Sequence, residues 1–193
     1  MVTFLSKKLT DFLCAKKYIE SEKREIWVYG YELIISSLIA VLLVFLVGAL
    51  IGQAVQAVLF LIAFSLTRKY SGGYHAESYL KCMLLFVFVF LLNAALTVLI
   101  MPIYNLGILA GLALLHIFAV LDMAPIENKN KPMSDGEKRV NRVKSIVISS
   151  LFISASFIIY FLRADLSLFL SLTLFLTAML MFAAKEVKNH DKG

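Results

Sequence analysis

LIISSLIAVLLVFLVGALIGQAVQAVLFLIAFSL, from Leu33 to Leu66, decides the fold of this chain. Its apolar character barely pauses, and only Gly48, Gly52 and Gln53 suggest a turn. A membrane span needs about 20 apolar residues, with a range of about 17–25. The stretch therefore reads as one long tilted helix or as two spans, roughly 30–49 and 52–67. Four further apolar runs of spanning length follow, at roughly 83–101, 103–122, 145–162 and 166–184. The whole chain has 193 residues, 61% of them hydrophobic and 17% charged. Soluble domains hold about 45–50% apolar and about 25% charged residues. No water-soluble fold hides that much apolar surface, so the bilayer is the solvent and the chain is an integral membrane protein.

Charge placement decides between one span and two. With two, eighteen of the nineteen lysines and arginines fall on one side of the membrane and Arg163 alone on the other. The eighteen lie in the N-terminal arm, the loop after the second run, the loop after the fourth, and the tail. Merging the two spans carries the six charges of the N-terminal arm to the opposite face. The positive-inside rule then favours six spans, with both termini in the cytoplasm. The expected fold is an all-α integral membrane protein of six transmembrane helices with an N-terminal amphipathic helix. It forms a single polytopic domain (residues 1–193): an arm at 1–27, a six-span bundle at 30–184 and a cytoplasmic tail at 185–193. The three outer connections are very short, so every loop long enough to hold a site is cytoplasmic.

The arm is not a signal peptide, because it lacks a continuous apolar region and a small-residue cleavage site before Trp27. Phe4, Leu5, Leu9, Phe12, Leu13 and Ile19 recur at helical spacing between lysines, which reads as a helix on the membrane surface. A solvated helix packed on the protein's own loops is the alternative. The net charge of +6 sits almost wholly on the cytoplasmic face. Topology and attraction to anionic lipid headgroups account for it, and an acidic partner is a second explanation. The basic residues are scattered over four segments with no binding module, so nucleic acid is not an expected partner. Cys14 and Cys82 are too few for a disulfide framework and are expected as reduced thiols.

Chemistry concentrates in RKYSGGYHAESYLKC, Arg68 to Cys82, between two apolar runs. A thiol and an imidazole together make a nucleophile and its base. A polar loop histidine and a small apolar helix cysteine give the same pattern, so the pair alone is a weak motif. On one straight helix, seven positions amount to about 10.5 Å of rise on nearly the same face. Side chains also tilt toward the helix N-terminus, which points His75 away from Cys82. If the two act together, the backbone bends between them or His75 precedes the helix. Gly72 and Gly73 supply the freedom for this. A loop or bend is expected around Ser71 to Ala76, with Cys82 near the cytoplasmic start of the third span. There the helix N-terminus, Lys81 and Arg68 would favour the thiolate.

A metal site from His75, Glu77, Cys82 and Cys14 lacks the spacing of structural zinc sites, so no metal and no cofactor is expected. Asn93 and His116 are polar residues inside spans, and interhelical hydrogen bonding is their expected role. Gly48-x-x-x-Gly52 and Gly107-x-x-x-Gly111 allow close helix packing, a pattern frequent by chance. Pro102 ends the third span. In APIENKNKPMSDGEKRVNRVKS, Ala124 to Ser145, Ser134 and Glu137 have the spacing of a helix capping box. The basic stretch after it serves as a flank of the fifth span or binds acidic residues of a substrate. Ion-coupled transport is disfavoured, because no embedded charged residue lines an obvious path. A peptide transporter or exporter and a non-catalytic membrane scaffold remain the alternatives from other classes.

RKYSGGYHAESYLKC and APIENKNKPMS, within this polytopic frame, resemble the accessory gene regulator protein B (AgrB) family. Its members are membrane cysteine endopeptidases of Gram-positive quorum sensing, and the resemblance covers nearly the whole chain. It implies a bacterial cell-membrane protein with a cytoplasmic active site and a short AgrD-like propeptide as substrate. The propeptide is cut near its C-terminus and held as a thioester, and an internal cysteine or serine closes a thiolactone or lactone ring. Carried over, Cys82 is the nucleophile and His75 the base, while Arg68 and Gly73, beside Gly72, shape the loop. The basic residues Lys129, Lys131, Arg139 and Arg142 suit an acidic propeptide tail. The family also implies a homodimer. No motif identifies a third catalytic residue among Ser71, Glu77 and Asp122.

Overall fold

The computed structural model of the chain describes residues 2–72, 78–127 and 133–190, with side chains as far as 186. The described residues are all helical, without strands, in seven α-helices: α1 (Val2–Ala15), α2 (Arg24–Leu50), α3 (Ala54–Ser71), α4 (Tyr79–Ile100), α5 (Leu106–Met123), α6 (Asp135–Tyr160) and α7 (Ala164–His190). Among them α2, α4, α5, α6 and α7 are long and apolar enough to cross a membrane. Six spans were expected. Of the two other helices, α1 has 14 residues, and α3 reaches 18 only by including Arg68 and Lys69 at its end, which shortens its apolar run.

The Leu33–Leu66 stretch breaks into two helices at its glycines. Gly52 turns the chain with φ +73, a conformation glycine adopts without strain. Below the turn, a methyl group on Gly48 would lie 2.5 Å from the Ala57 side chain, so the absence of one lets α2 and α3 close as a hairpin. The other glycine pair does no such work, since a Cβ at Gly111 would meet nothing within 4 Å. Local signals place the other boundaries. Pro102 lies in the short 3-10 turn Met101–Ile103 that follows α4. Asn105 caps α5 by accepting from the Ile108 amide at 3.1 Å. Ser134 and Glu137 form the expected capping box at the start of α6.

The centre of the bundle is α7, which packs against α3, α4, α5 and α6. Its apolar stretch is 67% buried, against 17–33% for the other four candidate spans. One core joins Phe60, Phe64, Phe90 and Phe169, with neighbouring ring centroids 5.0–6.1 Å apart. A second joins Ala119, Val120 and Met123 of α5 to Ala178 and Met181 of α7. In a bilayer such contacts act through packing, because lipid tails are as apolar as leucine. Polar ties supplement them. Asn93 donates to the Thr173 hydroxyl at 2.7 Å and to the Phe169 carbonyl at 3.2 Å. His116 lies 2.8 Å from the Leu174 carbonyl through Nδ1 and 3.0 Å from the Ser149 hydroxyl through Nε2. A carbonyl only accepts, so Nδ1 carries the proton and Nε2 accepts from Ser149. Both residues therefore act as interhelical glue.

The first helix packs on α2 through a small polar face. Ser6 and Thr10 are buried, and their hydroxyls return to carbonyls of their own helix at 3.0 and 2.9 Å. Arg24 closes the hairpin by donating to Asp11 at 2.7 Å, which holds that carboxyl below its ordinary value. Phe4, Leu5, Leu9 and Phe12 point outward. The outer faces of α2–α6 are similarly lined with exposed leucine, isoleucine, valine and phenylalanine.

Candidate functional site

The ends of α3 and α4 that carry the Arg68–Cys82 motif come together with the α5–α6 connection and the start of α2. Several contacts fix this shared end. The Ile126 amide donates to the Ser71 carbonyl at 2.9 Å, and Lys144 of α6 sits 5.3 Å from the Tyr70 ring. Arg142 donates to the Leu121 carbonyl at 2.9 Å, and Lys185 pairs with Asp122 at 2.8 Å. The basic segments of the sequence thus gather at one end, opposite Arg163.

Cys82 is a half-buried free thiol in the first turn of α4. Ser78 caps that turn by accepting from the Lys81 amide at 3.3 Å, and its own backbone is extended at φ −135, ψ 151. A single straight helix through positions 75 and 82 is therefore excluded at Ser78. Of the loop expected around Ser71 to Ala76, the described part is Ser71, where α3 ends, and Gly72, which follows at φ +76. His75, Gly73 and Glu77 lie outside the described residues, as do Lys129 and Lys131.

Arg68 stands in the last turn of α3, beyond the apolar run, with its guanidinium 5.5 Å from the Phe64 ring centroid. Burial lowers this group from its ordinary value, and its electrostatic interaction with Cys82 offsets only part of that shift. Arg68 and Cys82 are therefore electrostatic neighbours although they belong to different helices.

Gly72 meets the α5–α6 connection so closely that a Cβ there would collide with the Ile126 carbonyl oxygen. The two stretches that resemble the AgrB family are thus in contact, Ser71–Gly72 against Ile126. Beyond it, Glu127 pairs with Lys138 at 3.0 Å and accepts from the Met133 amide at 3.3 Å, anchoring the described ends of the loop. Arg139 and Arg142 are exposed on the first turns of α6, Arg142 being engaged with α5.

Of the three candidates for a further catalytic residue, two are engaged elsewhere. The Ser71 hydroxyl donates to the Thr67 carbonyl at 2.9 Å, and Asp122 faces Lys185. Sequence reading gave no role to a different carboxylate, Glu32. It lies within the first expected span and accepts a hydrogen bond from the Tyr79 hydroxyl at 3.0 Å. An acidic residue in an apolar run is the signal that could have found it. Among the described residues, no three His, Cys, Asp or Glu side chains gather as metal ligands.

Comparison with known proteins bears on what this end of the bundle does. The family model for Accessory gene regulator B matches residues 6–183. An AgrB-like protein of Clostridium perfringens (strain SM101 / Type A) is 31% identical over 185 residues, covering 90% of this chain and 85% of the relative. AgrB-like protein 2 of Clostridium perfringens (strain 13 / Type A) is 30% identical over 179 residues, covering 87% and 82%. An AgrB-like protein of Listeria monocytogenes (serotype 4b, strain F2365) is 27% identical over 154 residues, covering 78% and 74%. No solved structure matches the chain.

Proposed function

The chain belongs to the AgrB family, and we propose that it serves there as a membrane cysteine endopeptidase, with Cys82 as nucleophile and His75 as its base. Family membership points to accessory gene regulator autoinducer processing. The observation that carries the finer reading is the position of Cys82, in the first turn of α4 with Arg68 as its electrostatic neighbour. Cationic groups and helix N-termini are the surroundings in which cysteines react.

In this reading the propeptide's scissile carbonyl approaches Cys82 from the basic end. The sulfur attacks it, His75 takes the thiol proton, and the same proton passes to the amine of the departing C-terminal tail. The remaining peptide is held as a thioester. An internal cysteine or serine then attacks that carbonyl, closes the thiolactone or lactone ring and returns the thiol. Cyclisation outruns hydrolysis because the attacking group is tethered, and effective molarities for well-oriented groups reach about 10⁵–10⁸ M. Arg68, Gly72 and Gly73 hold the loop, while Lys129, Lys131, Arg139 and Arg142 receive the acidic tail.

The same reading takes residues 1–193 as one polytopic domain in the bacterial cell membrane. The basic end is cytoplasmic, α3 is the sixth span, and Arg68 and Lys69 reach up to the headgroups. The outward Phe4, Leu5, Leu9 and Phe12 of α1 lie in the interface among lipids. The working unit is a homodimer. To test the reaction, the purified protein is reconstituted in vesicles with a propeptide encoded beside it, and cleavage is followed in wild type, Cys82→Ala and His75→Ala. Both variants are expected to lose cleavage. Cleavage that survives in Cys82→Ala removes the cysteine mechanism, and uptake of intact propeptide without cleavage indicates transport instead.

A further inference from the structure

We propose that Glu32 and Tyr79 form a positioning pair that fixes Cys82, an inference that rests on Cys82 being the nucleophile. Core packing holds α4 from its second turn onward: its buried residues are Val89, Phe90, Asn93 and Ala94, and Leu85 and Phe86 pack partly buried against the same core. The core ring nearest to Cys82 along α4 is Phe86, one turn further on, against Phe60 and Phe64 at 5.3 and 5.2 Å. Cys82 thus lies at the end of α4 just before that packing, where helix ends ordinarily fray. Its N-cap bond from Ser78 is long and exposed, at 3.3 Å. Tyr79, the first residue of α4, instead reaches across to α2 and donates to the Glu32 carboxylate at 3.0 Å. Tyr79 and Cys82 are three residues apart, so they are neighbours on one helix surface. A bond that fixes Tyr79 therefore fixes the turn from which the sulfur projects.

The identity of Glu32 supports a purpose beyond packing. Glu32 stands at the edge of the apolar run that opens with Leu33, Ile34 and Ile35, and an ionisable residue within a membrane span is a functional candidate by default. It is half-buried, and the partner it meets is a neutral hydroxyl. Charge-assisted hydrogen bonds are roughly twice as strong as neutral ones, which suits an anchor made of a single bond.

The pair acts on Cys82 through geometry, so it changes the rate of acyl-enzyme formation and not the binding of propeptide. Single-turnover acylation is measured at saturating propeptide and normalised to the titrated Cys82 thiol. Tyr79→Phe and Glu32→Ala are each expected to slow it about tenfold, the loss that follows from one hydrogen bond to a charged group. KM is expected to hold. The double variant is expected to be no slower than either single one, because both break the same bond. Glu32→Gln keeps an oxygen acceptor and is expected to recover most of the rate lost in Glu32→Ala. Wild-type rates in Tyr79→Phe overturn the proposal, as do losses that multiply in the double variant or a Glu32→Gln as slow as Glu32→Ala. Tyr79→Phe changes one atom and decides the matter if Glu32→Ala fails to accumulate. Failure of the underlying reading is separate and visible, since cleavage then persists in Cys82→Ala.

Discussion

Three glycine-to-alanine substitutions separate conformational cost from collision and test the contact between the two motif stretches. At Gly72, φ +76 and ψ −160 place the backbone in a region that essentially only glycine occupies. Forcing alanine there costs about 1–3 kcal/mol. The new Cβ also meets the Ile126 backbone, which has no side-chain rotation to relieve it. The 2.9 Å bond from Ile126 to Ser71 must then open, at about 0.5–1.5 kcal/mol. The smaller entropy of the unfolded alanine chain returns about 0.4–1 kcal/mol. The expected net loss for Gly72→Ala is about 2 kcal/mol, within a span of about 0.5–4, with processing reduced at least tenfold. Gly52 has nearly the same φ, +73, but nothing within 4 Å of a Cβ, so Gly52→Ala carries the conformational cost without collision; about 1 kcal/mol is expected. Gly111 is helical and open, so Gly111→Ala is expected to gain about 0.5–1 kcal/mol. Reversible unfolding in mixed micelles ranks them, with Gly111→Ala above wild type, then Gly52→Ala, then Gly72→Ala. A Gly72→Ala as stable as Gly52→Ala refutes the Ile126 contact.

Further outcomes follow from the same geometry. Ser149→Ala is expected to cost about 0.6 kcal/mol, the measured average for interhelical hydrogen bonds in a membrane protein, and no more than about 1.7. His116→Leu is expected to cost more, because it leaves the Ser149 hydroxyl without its His116 partner in the core. Losses that simply add in the double variant would contradict a shared bond. Asp122→Asn is expected to leave processing within about threefold, because an exposed ion pair such as Asp122–Lys185 contributes only about 0.2–1 kcal/mol; a hundredfold loss would restore Asp122 as a catalytic candidate. In cells, Cys14 and Cys82 are expected to resist a membrane-impermeant thiol reagent, while single cysteines placed at Gly52 or Arg163 are labelled. The opposite pattern inverts the proposed topology.

Local boundaries were legible because each rests on residues adjacent in the chain. Gly52 marks the break in the Leu33–Leu66 stretch, Pro102 the end of α4, and Ser134 with Glu137 the start of α6. The extended Ser78 starts α4 after position 75, as the spacing of His75 and Cys82 requires of a pair that acts together, while positions 73–76 of the expected bend lie outside the described residues. What escaped was everything set by helix rotation and non-local pairing. The central place of α7 has no signature in its residues, since α6 is at least as rich in hydroxyls. The glycines of the 107–111 motif gave no hint that Gly111 lacks a neighbour. Glu32 and Tyr79 are 47 residues apart and meet only once α2 and α4 are side by side. Charge placement sorted the loops to one end of the bundle, but it could not indicate that Ile126 seals against Gly72.

The central claim is that Cys82 carries the peptide as a thioester. A propeptide whose internal cysteine or serine is replaced by alanine removes the ring-closing attack, so the acyl-enzyme should accumulate. After proteolytic digestion, mass spectrometry is expected to find the truncated propeptide attached to the fragment containing Cys82, released by hydroxylamine and absent from Cys82→Ala. Cleavage of the propeptide without that adduct, or an adduct that persists in Cys82→Ala, would contradict the account.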